Sequence, residues 1–290
     1  MKTKAFLYIV IAGILWGTSG LFVNVMSPLG FSVTQIMSVR GTVSFFAMLL
    51  YAIIFDRKRL RIPFTHLLLY VACGVCLFFT GWCYFSSMRM TSVSTAVVLM
   101  YTAPIYVSVF SACFLSEKFT KMKTLSIAGM LVGCALVSGI VGGIALDAVG
   151  LLLGFGSGLA YAGYNILTKI AMRRGGHPIS LTVYAFGVMS LVACIAAPPW
   201  ETVAVAAKDP LTAVPLCIGL GVVTYIVPYF LYTLSLRTLP AGTASALSIV
   251  EPMAATLFSL VFLHESIHPV SWAGIVLILA STLLLSREKE

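Results

Sequence analysis

Apolar runs of about twenty residues recur along the whole of this chain, separated by short polar turns. The hydrocarbon core of a bilayer is about 30 Å thick, and a helix rising 1.5 Å per residue needs about 20 apolar residues to cross it. Ten such runs are legible, at approximately 5–26, 33–55, 66–87, 91–115, 124–144, 149–171, 179–197, 213–236, 241–263 and 270–286. The turns carry helix-ending chemistry, as in Ser27-Pro28-Leu29-Gly30, Gly175-Gly176-His177-Pro178 and Leu239-Pro240-Ala241-Gly242. Residues 198–212 alone read as a loop of any length, and no soluble domain is visible. The expectation is an all-α integral membrane protein with ten transmembrane helices.

Composition supports that class. Hydrophobic residues make up 60% of the chain and charged residues 9%, with a mean hydropathy of +1.05. A soluble domain carries about 25% charged residues, so the polar surface a water-soluble globule needs is missing. The net charge of +9 raises nucleic acid as a partner. The basic residues are not gathered into a face, however, and no nucleic-acid partner is expected. They mark the ends of apolar runs, which is a topology signal. With the N-terminus inside, fourteen of the eighteen Lys and Arg fall on the cytoplasmic side, including the cluster Arg57-Lys58-Arg59-Leu60-Arg61. Arg89 and Lys208 alone fall outside, while Arg40 and Lys169 lie within spans. Both termini are therefore expected in the cytoplasm, and the protein in the cell membrane. The first run is long for a secretory signal and no convincing cleavage site ends it, so it is expected to stay as the first span. The seven cysteines all lie in apolar runs; Cys73 and Cys76 form a CxxC with nothing nearby to complete a zinc or redox site.

The two halves of the chain resemble each other. Residues 79–117 align without a gap with residues 227–265, and twelve of the 39 positions are identical. The identities include Arg89/Arg237, Pro104/Pro252 and Glu117/Glu265. The chain therefore divides into repeats at 1–145 and 146–290, each with five spans. An odd number of spans inverts the second repeat relative to the first. The loops agree: Lys118, Lys121 and Lys123 follow Glu117, whereas the stretch around Glu265 holds no Lys or Arg. Inverted repeats are an architecture of secondary transporters, which bind substrate near the midplane where the repeats meet.

Glu251 is the charge that most needs explaining, because it lies near the middle of a span and is followed at once by Pro252. A carboxylate at that depth costs several kcal/mol (about 2.5–3.5 for the analogous Asp) and marks a functional site by default. It can bind a proton on one side of the membrane and release it on the other, or it can cap the gap left by the proline or bond to a neighbouring helix. Its repeat-mate is Ala103, so the proline frame Pro104/Pro252 is duplicated while the charge is not. Arg40 is the second deep charge, read as a site for a substrate carboxylate, a partner for an acidic side chain, or a snorkelling surface residue. Lys169, followed by Arg173 and Arg174, is read as snorkelling. Trp16 and Tyr101 lie near mid-span and are candidate cavity-lining residues. Tyr84, Tyr161, Tyr164, Asn165, Tyr225, Tyr229 and Tyr232 are read as helix packing. Glu117 and Glu265, duplicated at opposite faces, are read as structural acids acting at the start of the next helix. The spacings Gly13/Gly17, Gly129/Gly133 and Gly150/Gly154/Gly158 are read as close helix contacts.

In their order and spacing these motifs resemble the drug/metabolite transporter superfamily, in its ten-helix form built from two EamA domains. The residues that carry the resemblance are Trp16-Gly17, Arg40, Thr102-Ala103-Pro104, Leu115-Ser116-Glu117, Tyr161-Ala162, Lys169, Glu251-Pro252 and Leu263-His264-Glu265. One departure is Asn24, at a position where the first repeat of the family often has a lysine. The resemblance implies export of amino acids or related small metabolites in exchange for protons. The expected partners are a small-molecule substrate, protons and membrane lipid, with the chain a monomer or homodimer. No cofactor or metal is expected, since the four histidines lie at helix ends or in loops. The alternative is an intramembrane enzyme acting on a lipid, which requires a catalytic constellation such as HExxH, GxSxG or paired aspartates; none is found in the spans.

Overall fold

The computed structural model describes residues 2–91, 96, 99–115, 120–137, 147–262 and 269–286, and every regular element among them is helical. Helices α1 (Lys2–Gly17) and α2 (Ser19–Met26) form one rod interrupted at Thr18. There the amide and the hydroxyl both turn back to the carbonyl of Leu15, at 3.2 and 2.7 Å. Gly30 then takes a positive φ of 94°, and Ser32 and Gln35 form a capping box that starts α3 (Val33–Phe55). Next come a 3-10 turn (Arg57–Leu60), α4 (Phe64–Met90), α5 (Ala103–Leu115) and α6 (Lys121–Val137). Asp147 caps α7 (Ala148–Arg173) by accepting from Gly150 N at 2.6 Å. Gly175, at φ 81°, ends that helix. The second half continues with α8 (Pro178–Ala196), α9 (Pro199–Ala206), α10 (Pro210–Gly221), a π-helical turn (Val222–Ile226) and α11 (Val227–Ser235). Helices α12 (Ala241–Leu247), α13 (Val250–Phe262) and α14 (Pro269–Ser286) complete it.

One expectation is corrected. Part of the stretch 198–212, read as a loop, is helix α9. Pro199 suits a first helical position, and Glu201 in the first turn favours the positive end of the helix. Eight residues are too few for periodicity to show. Val205 and Ala206 pack on a small apolar cluster built from Met26, Phe31, Ile36, Val39, Ala213 and Leu220.

Burial is arranged for lipid. Leu211 is 90% exposed, Ile195 77% and Phe114 72%, while Ser44, Asn165, Thr224 and Ser245 are fully buried. An apolar exterior over a partly polar interior reverses the order of a soluble domain, and the chain is an integral membrane protein. Among the described residues six helical stretches are long and apolar enough to cross a bilayer: Thr3–Met26, Thr34–Phe55, Phe64–Ser87, Pro178–Ala196, Pro210–Ser235 and Ala241–Phe262. Two shorter apolar stretches are Ala103–Leu115 and Trp272–Leu285.

The helix contacts come in matched sets. Helix α1 packs on α11 and α13 from the other half of the chain, and α7 packs on α4 and α5. Helix α3 pairs with α8, and α6 with α14. The glycine spacings lie at these seams. A Cβ on Gly17 would stand 2.8 Å from Ala254 Cβ and 2.9 Å from Ala255 N. One on Gly158 would meet the carbonyls of Leu99 and Met100 at 3.0 and 3.1 Å, and one on Gly133 would meet Ile278 at 2.8 Å. Small residues thus bring α1 and α7 close to the two segments that carry the duplicated prolines.

Candidate functional site

The site forms where helices are interrupted. Pro104 is the second residue of α5 and Pro252 the third of α13, and both are buried. A proline has no amide hydrogen, so each leaves a carbonyl without its usual helical partner. The chain turns tightly at each point: Ile105 N donates to Thr102 O at 2.9 Å and Glu251 N to Ser248 O at 3.0 Å. Nearby hydroxyls also fold back, Thr102 Oγ1 to Leu99 O at 2.6 Å and Ser248 Oγ to Ser245 O at 2.7 Å. A third interruption is the π-helical turn, just ahead of Pro228, which cannot donate to the carbonyl four residues earlier. The fourth is the break at Thr18.

Two of these breaks are joined by one bond. Tyr101, at the turn before α5, donates its hydroxyl to Glu251 Oε2 at 2.5 Å. Bonds this short are typical of a hydroxyl donating to a carboxylate. Tyr101 is buried and Glu251 is partly buried. The pairing answers one question left by the sequence, because the deep carboxylate has a tyrosine partner in the turn ahead of another helix. Arg40 lies within electrostatic reach of Glu251. No ion pair joins the two among the described residues. Instead its guanidinium carbon sits 4.4 Å from the centre of the Tyr225 ring, a cation–π geometry. Its Nε is buried and has no hydrogen-bond partner among the described residues, and neither has Trp16 Nε1.

Trp16 connects this end of the site to a column of aromatic rings. Its indole meets Tyr229 edge-on at 5.0 Å and Tyr232 at 5.6 Å. Tyr225 and Tyr229 are 4.9 Å apart, Tyr164 and Tyr229 5.6 Å, and Tyr161 and Tyr232 6.4 Å. Tyr232 donates to Asn165 Oδ1, and Asn165 Nδ2 donates to Tyr161 O at 2.7 Å. These tyrosines do pack between helices, but they pack on Trp16 and one another as one body beside Glu251. Tyr225, Tyr229 and Tyr232 recur at helical spacing on one face next to a proline, and that pattern is the signal that could have grouped them.

Lys169 departs from its expected behaviour. It is 5% exposed and does not snorkel. Its ammonium donates to Leu236 O at 2.9 Å and to Leu239 O, capping the end of α11. One turn on, Arg173 Nη1 donates to Leu115 O at 2.9 Å and caps α5 in the same way. Asn24 is exposed. The cysteines are all free, and the Cys73 sulfur lies 3.7 Å from Thr168 Oγ1. Glu117 and Glu265 lie outside the described residues.

The fold and this interior polar site define a polytopic helical membrane protein with interrupted helices meeting inside it. The chain belongs to the EamA-like transporter family, whose model matches residues 3–139 and again 148–287. The transporter resemblance read from the motifs therefore holds. The chain is 25% identical over 282 residues to the uncharacterized transporter YwfM of Bacillus subtilis, covering 97% of this chain and 93% of that protein. It is 28% identical over 280 residues to an uncharacterized transporter of Archaeoglobus fulgidus, covering 97% and 95%. It is 26% identical over 238 residues to the threonine/homoserine exporter RhtA of Escherichia coli, covering 80% and 75%. A crystal structure of a protein 16% identical in sequence superposes with a TM-score of 0.81, over 98% of this chain and 96% of its own, which shows the fold.

Proposed function

We propose that this transporter is a secondary exporter of amino acids or related small metabolites, driven by proton exchange through alternating access. Its frame is ten spans in two inverted five-helix repeats, 1–145 and 146–290, with both termini in the cytoplasm of a cell whose plasma membrane it crosses. The matched helix contacts and the excess of Lys and Arg in one set of turns support that frame. The observation that carries the function is the Tyr101–Glu251 bond, which ties the two proline breaks together inside the membrane. Protonation of Glu251 removes the charge that holds the Tyr101 hydroxyl, and so frees the α5 break from the α13 break. Discharge of the proton restores the bond.

Arg40 and Trp16 give the substrate end of the reading. Each offers a buried N–H without a partner among the described residues, beside the Tyr225 and Tyr229 rings. A substrate carboxylate satisfies both donors. The similarity to a threonine/homoserine exporter supports an amino acid as the cargo. The test is reconstitution of the purified protein in liposomes, with amino acids and metabolites screened with and without a pH gradient. Substrate-dependent proton flux is expected and Glu251→Gln is expected to abolish it; flux that survives the substitution removes Glu251 from coupling.

A further inference from the structure

Among the described residues, side chains tie one end of the bundle together, and the internal repeat says which residues stand at the corresponding place on the other end. At the end that holds Lys169, α7 and α11 are bound to each other. Lys169 donates to Leu236 O and Leu239 O, Tyr232 donates to Asn165, and Tyr164 and Thr233 share a hydrogen bond at 3.2 Å. Helix α12 closes the same end against α5 and α6. A Cβ on Gly242 would lie 2.8 Å from Ser108 Oγ and 2.6 Å from Lys123 Nζ.

The corresponding contact at the other end follows from the repeat. Trp16-Gly17 corresponds to Tyr161-Ala162, an offset of 145 residues for the first helix of each half. The packing is in the same register: Gly13 faces Val250 and Glu251, while Gly158, 145 residues on, faces the stretch from Leu99 to Thr102. The latter stretch precedes Val250 and Glu251 by about 148 residues, the offset already read for the later helices. With these two offsets Lys169 maps to Asn24, and the carbonyls of Leu236 and Leu239 map to those of Met88 and Thr91 at the end of α4. Asn24 is exposed, and its side chain makes no hydrogen bond among the described residues. Helix α2 packs on α10, α13 and α3.

We propose that Lys169 is one half of an unequal pair of latches: it locks the cytoplasmic end of the α7–α11 seam, and Asn24 gives the outer α2–α4 seam a weaker lock. The transporter therefore rests facing outward. The inference rests on the inverted-repeat reading above. An ammonium donating to helix-end carbonyls makes a charge-assisted bond and complements the negative end of the helix. A neutral amide does so more weakly. During the cycle the lock at Lys169 breaks as Asn24 swings onto the end of α4, and that return contact costs little to release.

The test is hydrogen–deuterium exchange by mass spectrometry on the full chain in lipid nanodiscs, without substrate. Asn24→Lys is expected to slow exchange at residues 20–26 and 86–91 and to speed it at 165–173 and 232–240. The change is about tenfold or more, as expected for one added charge-assisted bond. Lys169→Asn is expected to speed exchange at the cytoplasmic seam alone. If that variant fails to fold, Asn24→Lys alone carries the test, with Asn24→Gln, which keeps a neutral amide, expected to leave the wild-type exchange pattern unchanged. Slowing confined to residues 20–26, with no change at 165–173 and 232–240, overturns the proposal. Solute transport in liposomes is measured on the same variants. Coupled exchange changes with no solute movement leave the latch standing and remove the transport reading; transport with unchanged exchange does the reverse.

Discussion

Replacing Tyr101 by Phe removes one oxygen and with it the donor to Glu251, so the pair is suited to a double-mutant cycle. Tyr101→Phe leaves the ring in its buried place, and Glu251→Leu removes the acceptor while keeping an apolar side chain of similar size. A hydrogen bond to a charged group contributes about 1.5–3 kcal/mol in soluble proteins. Cycles between membrane helices average about 0.6 kcal/mol and reach about 1.7. The 2.5 Å distance and the 3% exposure of the tyrosine place this bond at the upper end of the membrane range. The expected coupling is therefore about 1–1.7 kcal/mol at pH 8. The assay is reversible unfolding in bicelles of the parent, both single variants and the double variant. Independent sites add to within about 0.3–0.5 kcal/mol. Additivity within that margin refutes a stabilising Tyr101–Glu251 bond, and the mechanism loses the link between the two proline breaks.

Gly17→Ala is expected to destabilise by about 1–3 kcal/mol, because the new methyl meets Ala254 Cβ and the amide of Ala255 inside 3 Å. Gly20→Ala is the control: nothing lies within 4 Å of its added Cβ, so thermal unfolding is expected to show no loss. Arg173→Met removes the cap on Leu115 O and is expected to cost about 0.5–1.5 kcal/mol of stability, read from the same melts. His177 lies in the turn before α8, where its ring nitrogen accepts from Ile179 N at 3.4 Å. Burial, with Arg59 and Arg237 nearby, holds its pKa below the usual 6.5. Its neutral form is thus favoured by folding, and stability present above pH 6.5 is lost as the pH falls from there toward the folded value. Melting curves from pH 7.5 to 5 are expected to show this loss, and His177→Gln is expected to reduce it.

The long helices were legible because a bilayer demands long apolar stretches and short polar turns. Where a helix is short the demand disappears, and α9 was missed for that reason. Glu251 and the two prolines stood out because charge and broken hydrogen bonding are both costly in lipid. Lys169 was misread. A lysine near a span end has water within reach along its own helix, and nothing local shows that two carbonyls of α11 lie closer. The tyrosines were visible one by one but not as a group, since their rings come from α7, from the π-helical turn and from α11.

What the sequence by itself determined, then, is a membrane protein of duplicated design with one deep carboxylate at a proline. Only the tertiary structure decided that Tyr101 meets Glu251, that Arg40 lies over Tyr225, and that Lys169 caps α11. The physical reason lies in the solvent. Lipid is as apolar as a protein core, so hydropathy marks a span without marking which of its faces turns inward. That rotation is set by shape, through Gly13, Gly17, Gly154 and Gly158 against the broken helices, and shape appears only when the helices are packed.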